Sequence, residues 1–342
     1  MALLSAAIGA VERLDLPDAV TRAGIDYLVA RQLRHLRRHP TDVAAFARDM
    51  AAHAVAEQPQ EANRQHYELP PEFFGQVLGP RRKYSSCLYP QGTESLEAAE
   101  IAALDETIAH AELADGQQIL ELGCGWGSLT LAMAERFPAA RITAVSNSRP
   151  QRRHILSEAV RRNLTNVEVI TADMNAFVPP GRYDRVVSVE MFEHMSNWRR
   201  LLLGVRQWLN PGGKLFIHIF THANAPYRFD SDSETDWIAH HFFAGGLMPS
   251  HDLLAQFDDL FAIERQWRWS GLHYQRTALQ WLANFDAHRT AIDAILAKVY
   301  GAEARLWRRR WRLFFLATAG LFGHADGREW GVSHYLLRQR TD

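Results

Sequence analysis

The stretch Gln118-Ile-Leu-Glu-Leu-Gly-Cys-Gly-Trp-Gly127 decides the fold of this chain. An apolar run of strand length meets three glycines spaced two residues apart, and a run of helical character follows from Ser128. Glycines at such a junction let a strand turn sharply into a helix and let backbone N–H groups come close to a ligand. Any strand-to-helix turn needs some glycine, so the interpretation of this motif depends on the segments around it.

The segments after residue 117 alternate between strand and helix patterns. Short apolar runs cover residues 118–122, 141–146, 167–171, 185–189 and 214–220, and helical stretches cover 128–137, 149–163 and 198–209. This alternation predicts an α/β fold, a doubly wound parallel sheet with helices on both faces. The sequence Asn210-Pro-Gly-Gly213 predicts a turn immediately before the fifth strand.

The segment before the predicted sheet is helical in pattern. Residues 1–56 predict helices, one of which starts near Leu16-Pro17-Asp18, and a further helix is expected at 93–112. The first helix has a basic face, which a membrane-surface helix would also have, but a packed helix with a solvated face is the favoured interpretation. Residues 57–66 predict a linker, and the aromatic, hydroxyl-rich segment 67–90 predicts a binding loop.

The alternation stops after Phe220. Residues 222–260 are polar and aromatic and predict an insertion that covers the carboxyl edge of the sheet. A strand at 261–270, two helices near 277–298 and 302–322, and a last strand at 330–338 then return the chain to the sheet.

The composition is that of an ordinary globular protein. The 342 residues are 47% apolar and 23% charged, and the formal charge of −1 gives no global field that would attract nucleic acid. Two cysteines are too few for a disulfide framework, and their spacing is not that of a zinc site, so no metal site is expected. Because no apolar run of 18 residues and no signal peptide is present, we expect a soluble, cytoplasmic protein, either a monomer or a homodimer.

Polar side chains recur where the predicted strands end, which is where doubly wound sheets bind ligands. Ser146 and Asn147 stand where many dinucleotide sites carry an acid for the ribose hydroxyls, and Asp173 can accept from an adenine amino group. Each of these residues alone is more often a helix cap or a turn residue. Together, at this spacing, they predict a nucleoside site.

Four motifs resemble those of the class I S-adenosylmethionine (SAM) methyltransferases, and more narrowly those of the cyclopropane fatty acid synthase superfamily. They are Leu120-Glu-Leu-Gly-Cys-Gly-Trp-Gly127, Ala144-Val-Ser-Asn-Ser148, Tyr183-Asp-Arg-Val-Val-Ser-Val-Glu-Met-Phe-Glu-His194 and Leu209-Asn-Pro-Gly-Gly213. The resemblance implies a Rossmann-like core at 91–221 that binds SAM as cofactor. It also implies a helical extension and lid at 1–90, and a cap insertion with the C-terminal completion of the sheet at 222–342.

The resemblance and the strand ends together give a set of candidate cofactor residues. The segment Tyr84-Ser-Ser-Cys87 resembles the family segment that lies over the methionine part of SAM. The whole candidate set is Tyr84, Ser85, Gly123, Cys124, Gly125, Ser146, Asn147, Gln151, Asp173, Met174 and Val189.

Within the superfamily, the chain is most similar to the coclaurine-type and pavine-type N-methyltransferases. The matching segments include Leu16-Pro-Asp-Ala19, His66-Tyr-Glu-Leu-Pro70, Gly245-Gly-Leu-Met-Pro-Ser250, His273-Tyr-Gln-Arg-Thr277 and Glu329-Trp-Gly-Val-Ser-His-Tyr-Leu336. This resemblance implies methyl transfer to the nitrogen of a small amine. It implies Glu193 and His194 as the dyad that binds and deprotonates the amine, with Glu68 as a further anionic wall. The alternative is that Glu193 caps a helix and His194 is a satisfied buried histidine.

A second function from the same superfamily stays open at this point, cyclopropanation of unsaturated lipid chains. In that reaction a bound bicarbonate removes a proton, and the resemblance implies Cys87, Glu193, His218 and Tyr274 as its site. Membrane contact is expected only under this alternative. Glu190 favours the amine, because the lipid enzymes usually have glycine there and an added carboxylate suits a cation. A non-enzymatic SAM-binding scaffold is the third possibility, and the intact acceptor residues argue against it.

Overall fold

The N-terminal part of the chain is helical, as its pattern predicts. The computed structural model describes residues 9, 11–14, 16–57, 69–229 and 236–340 of the protein. Helix α1 (Asp18–Arg38) begins directly after Pro17, and α2 (Val43–Asp49), a 3-10 turn (Met50–Ala52) and α3 (Pro71–Val77) follow. The apolar face of α1 is buried, so it is a packed helix. The predicted linker lies largely outside the described residues, with only Glu57 inside them.

The alternating segment forms the predicted sheet core. Helix α4 (Leu96–His110), capped by the Ser95 hydroxyl, precedes the first strand. The alternating elements are β1 (Gln118–Leu122), α5 (Ser128–Arg136), β2 (Arg141–Ser146), α6 (Arg149–Arg161), β3 (Val167–Thr171), β4 (Tyr183–Val189), α7 (Trp198–Trp208) and β5 (Leu209–His222). Each predicted strand and helix of this core is present, with ends shifted by a few residues.

The remaining elements follow β5. They are β6 (Tyr227–Arg228), α8 (Trp237–His241), β7 (Leu247–Met248), a 3-10 turn (Leu253–Phe257), β8 (Phe261–Ser270), α9 (Gly271–Ala287), α10 (Arg289–Tyr300), α11 (Ala304–Gly323) and β9 (Trp330–Gln339). The prediction of one helix over 277–298 was wrong. The helix starts six residues earlier, where the Ser270 hydroxyl caps α9, and it breaks at His288, whose φ and ψ of −96° and 24° are not helical.

Among the described residues, seven strands form one sheet in the order β3-β2-β1-β4-β5-β9-β8. Strands β1 to β5 are parallel, and β9 is antiparallel to both β5 and β8. The strand order reverses between β1 and β4, so the carboxyl ends of these two strands flank the crevice where ligands bind in such sheets. This arrangement confirms the doubly wound α/β fold expected of a class I methyltransferase.

The predicted turn at 210–213 is part of the β4–β5 pairing rather than a loop before it. Leu209 pairs with Tyr183, and Lys214 pairs with Arg185, so the four residues 210–213 of β5 lie opposite the single residue Asp184 of β4. Gly212 supplies the positive φ of 77° that this irregularity needs.

Apolar side chains cover both faces of the sheet. On one face Ile119 of β1 packs with Leu104 of α4 and Met133 of α5. On the other face Leu120 packs in the cluster that contains Trp198 and Leu202 of α7. A separate cluster, rich in aromatic side chains, joins the helices α1, α3, α9, α10 and α11. Within the described ranges, no helix is both long and apolar enough to cross a membrane.

The start of α9 is tightly packed, which gives a stability test of the fold. A Cβ added at Gly271 would lie 2.2 Å from the carbonyl oxygens of both Phe322 and Trp330. We expect Gly271→Ala to lower the free energy of unfolding by about 1–3 kcal/mol, because backbone atoms must move. Gly24→Ala in α1 has open space around its Cβ and should instead raise it by about 0.5–1 kcal/mol. Urea unfolding followed by circular dichroism measures both, and equal midpoints would contradict the packing argument.

Candidate active site

A cavity lies at the carboxyl ends of β1, β2, β3 and β4. Its lining includes residues from the N-terminal segment (Ala56) and from the segment after β5 (Ala244 and Gly245). The predicted cofactor residues among its lining are Gly123, Gly125, Ser146, Asn147, Gln151, Asp173 and Met174. The structure therefore brings together side chains from four strand ends at the switch in strand order, where the sequence places a nucleoside.

The glycine turn after β1 allows a close approach between two strand ends. Gly123 has a φ of 81°, and a Cβ there would lie 2.6 Å from the Cβ of Met191. Its N–H and that of Cys124 both donate to the Val145 carbonyl of β2, at 3.0 Å. A side chain at Gly123 would push the end of β4 away from β1, so glycine is required here for packing as well as for conformation.

Ser146 and Gln151 form a polar pair at the end of β2. The Ser146 hydroxyl donates to Gln151 Oε1 at 2.6 Å and accepts the Ser148 N–H at 3.0 Å. Gln151 is buried in the cavity wall, and its Nε2 has no hydrogen-bond partner among the described residues. A buried amide N–H without a partner is costly, so this atom indicates a missing acceptor from a ligand.

Asn175 links the end of β3 to the N-terminal segment. Asp173 Oδ1 accepts from the N–H of Asn175 at 2.9 Å and from its Nδ2 at 3.0 Å. The Asn175 amide in turn exchanges hydrogen bonds of 3.0 and 2.9 Å with the backbone of Ala56. Asn175 was missed in the sequence, where it looks like an ordinary turn residue. It holds the N-terminal segment against the cavity and fixes the Asp173 carboxylate.

The Glu190 carboxylate, at the end of β4, is the most strongly bound group of the site. Its Oε1 accepts from the Ser86 N–H at 3.0 Å and lies 3.2 Å from His218 Nε2, and its Oε2 accepts from the Tyr274 hydroxyl at 2.7 Å. Burial raises the pKa of Glu190 above its ordinary value, although the nearby Lys83 ammonium and the hydrogen bonds from Ser86 and Tyr274 act in the opposite direction. The residue also has a φ of 48°, in the left-handed region that favours glycine.

Glu193 and His194 lie in a 3-10 turn (Phe192–His194) that Met191 separates from Glu190. Glu193 is fully buried, and its Oε1 accepts from the Phe220 N–H at 2.9 Å, while Oε2 has no partner among the described residues. Burial, followed by the charge of Glu190, raises the pKa of Glu193 well above its ordinary value. Burial lowers the pKa of His194 to about 4, so its imidazole is neutral at physiological pH. Its ring packs 4.4 Å from that of Phe243.

The predicted segment Tyr84-Ser-Ser-Cys87 is held by a buried cation that the sequence analysis missed. Lys83 is 3% exposed, and its ammonium donates to the Ser85 hydroxyl and to the Ser86 carbonyl. Its backbone N–H donates to Glu100 of α4 at 3.0 Å. These contacts present the Ser86 N–H to Glu190, so Lys83 orients the segment as well as placing a positive charge beside it.

Cys87 is a packed thiol in this structure. Its backbone N–H donates to the Thr277 hydroxyl of α9 at 3.0 Å, and its side chain is fully buried. Burial raises the pKa of the thiol to about 12, although Lys83 acts in the opposite direction. The thiol is therefore neutral and unsuited to act as a base or nucleophile.

Four predicted cofactor residues lie outside the cavity lining. Tyr84 packs its ring between Phe74 and Trp281, at centroid distances of 5.3 and 5.6 Å. Ser85 is the partner of the Lys83 ammonium, as described above. The side chain of Cys124 lies in an apolar cluster with α6, and Val189 packs against the cluster beneath α4. Glu68, the predicted anionic wall, lies outside the described residues.

The sheet order, the glycine turn and the polar strand ends together make the binding site of a class I methyltransferase. The chain is a SAM-dependent methyltransferase. Residues 55–326 match the family model described as mycolic acid cyclopropane synthetase, and the chain belongs to that family.

Comparison with known proteins gives relatives that act on nitrogen. The chain is 35% identical over 291 residues to an (S)-coclaurine N-methyltransferase of Thalictrum flavum subsp. glaucum, covering 84% of this chain and 81% of the relative. It is 28% identical to the pavine N-methyltransferase of the same plant, over 96% and 95% of the two chains. A crystal structure of coclaurine N-methyltransferase bound to N-methylheliamine and SAH matches with a TM-score of 0.90 at 33% identity. That match covers 96% of this chain and 98% of the other.

The unpartnered amide of Gln151 leads to a binding prediction. We expect Gln151→Leu to weaken the binding of S-adenosylhomocysteine by about 10-fold, because a buried ligand acceptor loses its donor. Isothermal titration calorimetry measures the dissociation constant directly. Gln266→Leu, at an exposed position of β8, is the matched control and should bind like the wild type. Unchanged affinity in Gln151→Leu would show that the amide faces no ligand.

Proposed function

We propose that this enzyme transfers the methyl group of SAM to the nitrogen of a small aromatic or alkaloid-like amine. The named activities of the two plant relatives support this acceptor class. One set of contacts in this chain carries the proposal, the three hydrogen bonds that hold the Glu190 carboxylate beside the cavity. They put a fixed anion where a cationic acceptor has to bind. The same carboxylate fills the position that bicarbonate would need in the lipid reaction.

The lipid alternative requires room for bicarbonate. The groups expected to hold it include Cys87, Glu193, His218 and Tyr274. In this chain the His218 and Tyr274 side chains bind the Glu190 carboxylate instead, and the Cys87 backbone N–H is taken by Thr277. A second anion at the same donors would meet the charge of Glu190 in a buried place. The residues present do not fit bicarbonate, so no step of the proposed reaction passes through it.

The conformation of Glu190 is further support. A non-glycine residue in the left-handed region costs about 1–3 kcal/mol, and a buried carboxylate adds a desolvation cost. Glycine at this position would avoid both. The chain keeps glutamate nevertheless, which indicates that the carboxylate itself has a function.

The electrostatics of the dyad suit a cation. Burial and the charge of Glu190 raise the pKa of Glu193, since two carboxylates in one buried place cannot both ionise easily. An ammonium bound beside them lowers both pKa values and satisfies the free Glu193 Oε2. Binding of a protonated amine is thereby coupled to ionisation of Glu193, and an uncharged alkene would gain nothing from it.

The reaction itself is an in-line displacement at the methyl group that SAM supplies. The protein has to orient the amine nitrogen, exclude water and remove one proton before the nitrogen can attack. In the proposal Glu193 holds the ammonium and His194, neutral in the free enzyme, accepts its N–H proton. Ala56, Ala244 and Gly245 complete the wall of the cavity, which supports the proposal that the N-terminal segment and the insertion cover the acceptor.

The dyad can be tested with a variant that preserves its backbone contact. Glu193→Gln keeps an oxygen for the Phe220 N–H but removes the charge. We expect Glu193→Gln and His194→Ala each to lower kcat for an amine about 100-fold or more, with SAM affinity unchanged. Glu303→Gln, at an exposed position, is the control and should be fully active. If both dyad variants turn over normally, the assignment of the dyad is wrong.

The acceptor class is decided by one assay with methyl-labelled SAM. Tetrahydroisoquinoline amines and unsaturated phospholipid vesicles are offered side by side to the wild type. Label in the amine is the expected result. Label only in the lipid would overturn the proposal in favour of cyclopropanation.

Glu190→Gly tests the filled anion position. Glycine accepts the positive φ without strain, but the Ser86 N–H, His218 and Tyr274 lose their acceptor, so we expect a folded variant with a lower free energy of unfolding than the wild type. It should lose amine methylation about 100-fold, and added bicarbonate should restore part of the rate by accepting from the donors that Glu190 leaves. The control is Glu303→Gln with the same bicarbonate, which should not respond. Full activity of Glu190→Gly would show that the carboxylate has no role.

A further inference from the structure

A continuous row of three hydrogen bonds and one ion pair runs from the site to the protein surface. His218 Nε2 lies 3.2 Å from Glu190 Oε1, and His218 Nδ1 lies 2.8 Å from His334 Nε2. His334 Nδ1 lies 2.8 Å from His110 Nδ1, and His110 Nε2 lies 3.2 Å from Glu106 Oε1. The His218 and His334 side chains are fully buried, whereas the Glu106 carboxylate is 42% exposed.

The strand register places these rings in line. His218 of β5 is the direct cross-strand partner of His334 of β9, and Trp267 of β8 is the partner of His334 on its other side. Direct partners in a sheet share a face. His110, the last residue of α4, stacks on Trp267 with ring centroids 3.7 Å apart and planes at 12°. The row therefore crosses the β5–β9 strand pair and reaches the end of α4.

We propose that His218, His334 and His110 form a relay that conducts the proton released in each methyl transfer from Glu190 to solvent at Glu106. The relay rests on the proposed function, because only an acceptor that arrives with a proton requires one to leave. None of its last three members, His334, His110 and Glu106, is among the residues that line the cavity.

The stoichiometry requires such an exit. A secondary ammonium and SAM give a tertiary ammonium, S-adenosylhomocysteine and one proton. The proton leaves the amine before the nitrogen–methyl bond forms, so it is generated inside a covered site. From the Glu193–His194 pair it passes to Glu190, the carboxylate at the end of β4 whose charge acts on both members of the pair.

Every ring in the row can accept at one nitrogen and release at the other. With Glu190 ionised, the protons stand on His218 Nε2, His334 Nε2 and His110 Nδ1, and each ring donates toward the carboxylate. When Glu190 takes up a proton, the tautomers reverse and each ring donates toward the surface. A proton that enters at His218 Nε2 then displaces the next one along, and the last leaves His110 Nε2 for the Glu106 carboxylate and water. This transfer returns each imidazole to its resting tautomer.

The surroundings keep the rings neutral between transfers. Burial lowers the pKa of all three, and Lys83 acts in the same direction on His218 and His334, as Arg265 does on His110. A ring that held a proton permanently would block the row. Apolar side chains would satisfy these sheet positions at lower cost, since each buried imidazole must find partners for both nitrogens. In this row every ring nitrogen has a partner, and a carboxylate lies at each end. This arrangement indicates that the rings conduct protons rather than merely fill the core.

The experiment uses the full chain with SAM and a tetrahydroisoquinoline as acceptor. His110→Ala removes the outer ring, and His334→Leu breaks the row at its centre. We expect kcat near pH 7 to fall about 10-fold or more in each, with KM for the amine and for SAM unchanged. His288→Ala, an exposed histidine bound to the Gln76 carbonyl, is the control and should match the wild type. If His334→Leu fails to fold, His110→Ala at the rim of the row gives the result alone.

Two readouts separate a relay from a structural role. The loss of kcat in the variants, relative to the wild type, should shrink as the pH rises from about 7 to about 10. At the higher pH a neutral amine enters the site and brings no proton that has to leave. The groups facing the rings in this range are Lys83, Arg265, Glu190 and Glu106, and they are unchanged in both variants. Imidazole should restore His110→Ala by entering the slot over Trp267. 1-Methylimidazole should not restore it, because its second nitrogen carries a methyl group and has no proton to release.

Each outcome decides between the hypotheses. A deficit that shrinks with pH and is rescued by imidazole supports the relay. Variants that turn over the amine like His288→Ala, or that show the same deficit at every pH with no rescue, overturn it while the proposed function stands. A wild type that methylates no amine overturns the proposed function and the relay together.

Discussion

The burial of one carboxylate constrains this structure more than any other interaction. An ionised Glu190 inside the protein is tolerable only with several donors around it. Those donors come from three distant parts of the chain, the Ser86 N–H before the sheet, His218 on β5 and Tyr274 on α9. The N-terminal segment, the sheet and the C-terminal helices therefore have to meet at the end of β4, and the cavity forms where they meet.

Each donor is itself fixed by a second interaction. Lys83 and Glu100 hold the segment that presents Ser86, and the Cys87 N–H ties the same segment to Thr277 on α9. His218 is fixed by His334 across the β5–β9 pair. The result is a network in which a positive charge, a tyrosine and a row of imidazoles surround a single anion. Removing any one member leaves a buried polar group without its partner, so the network acts as a unit.

The sequence predicted the fold well because alternation of strand and helix patterns is a local signal. The glycine turn at 123–127 and the strand ends at Ser146 and Asp173 follow from that signal, and so does most of the cavity lining. Interactions between distant segments could not be predicted in the same way. Lys83 is an ordinary charge until its burial is known, and the alignment of His218 with His334 depends on a β5–β9 register that no periodicity reveals. The break at His288 was missed because it lies inside a continuous helical pattern.

Under the proposed function, the residue at position 190 decides between the two acceptors. With glycine there, the donors around it would face an open anion site, and a diffusible base could remove a proton from a hydrocarbon cation formed on a lipid chain. With glutamate, the anion is part of the chain, and it is present before the substrate arrives. A cationic amine gains from that fixed charge on binding, whereas an alkene has no charge for it to attract. In the proposed relay, the fixed carboxylate also sets the direction in which a proton leaves, because Glu190 contacts His218, which is not among the residues that line the cavity. In the proposed reaction, the choice of acceptor and the route of proton release are thus consequences of the same residue.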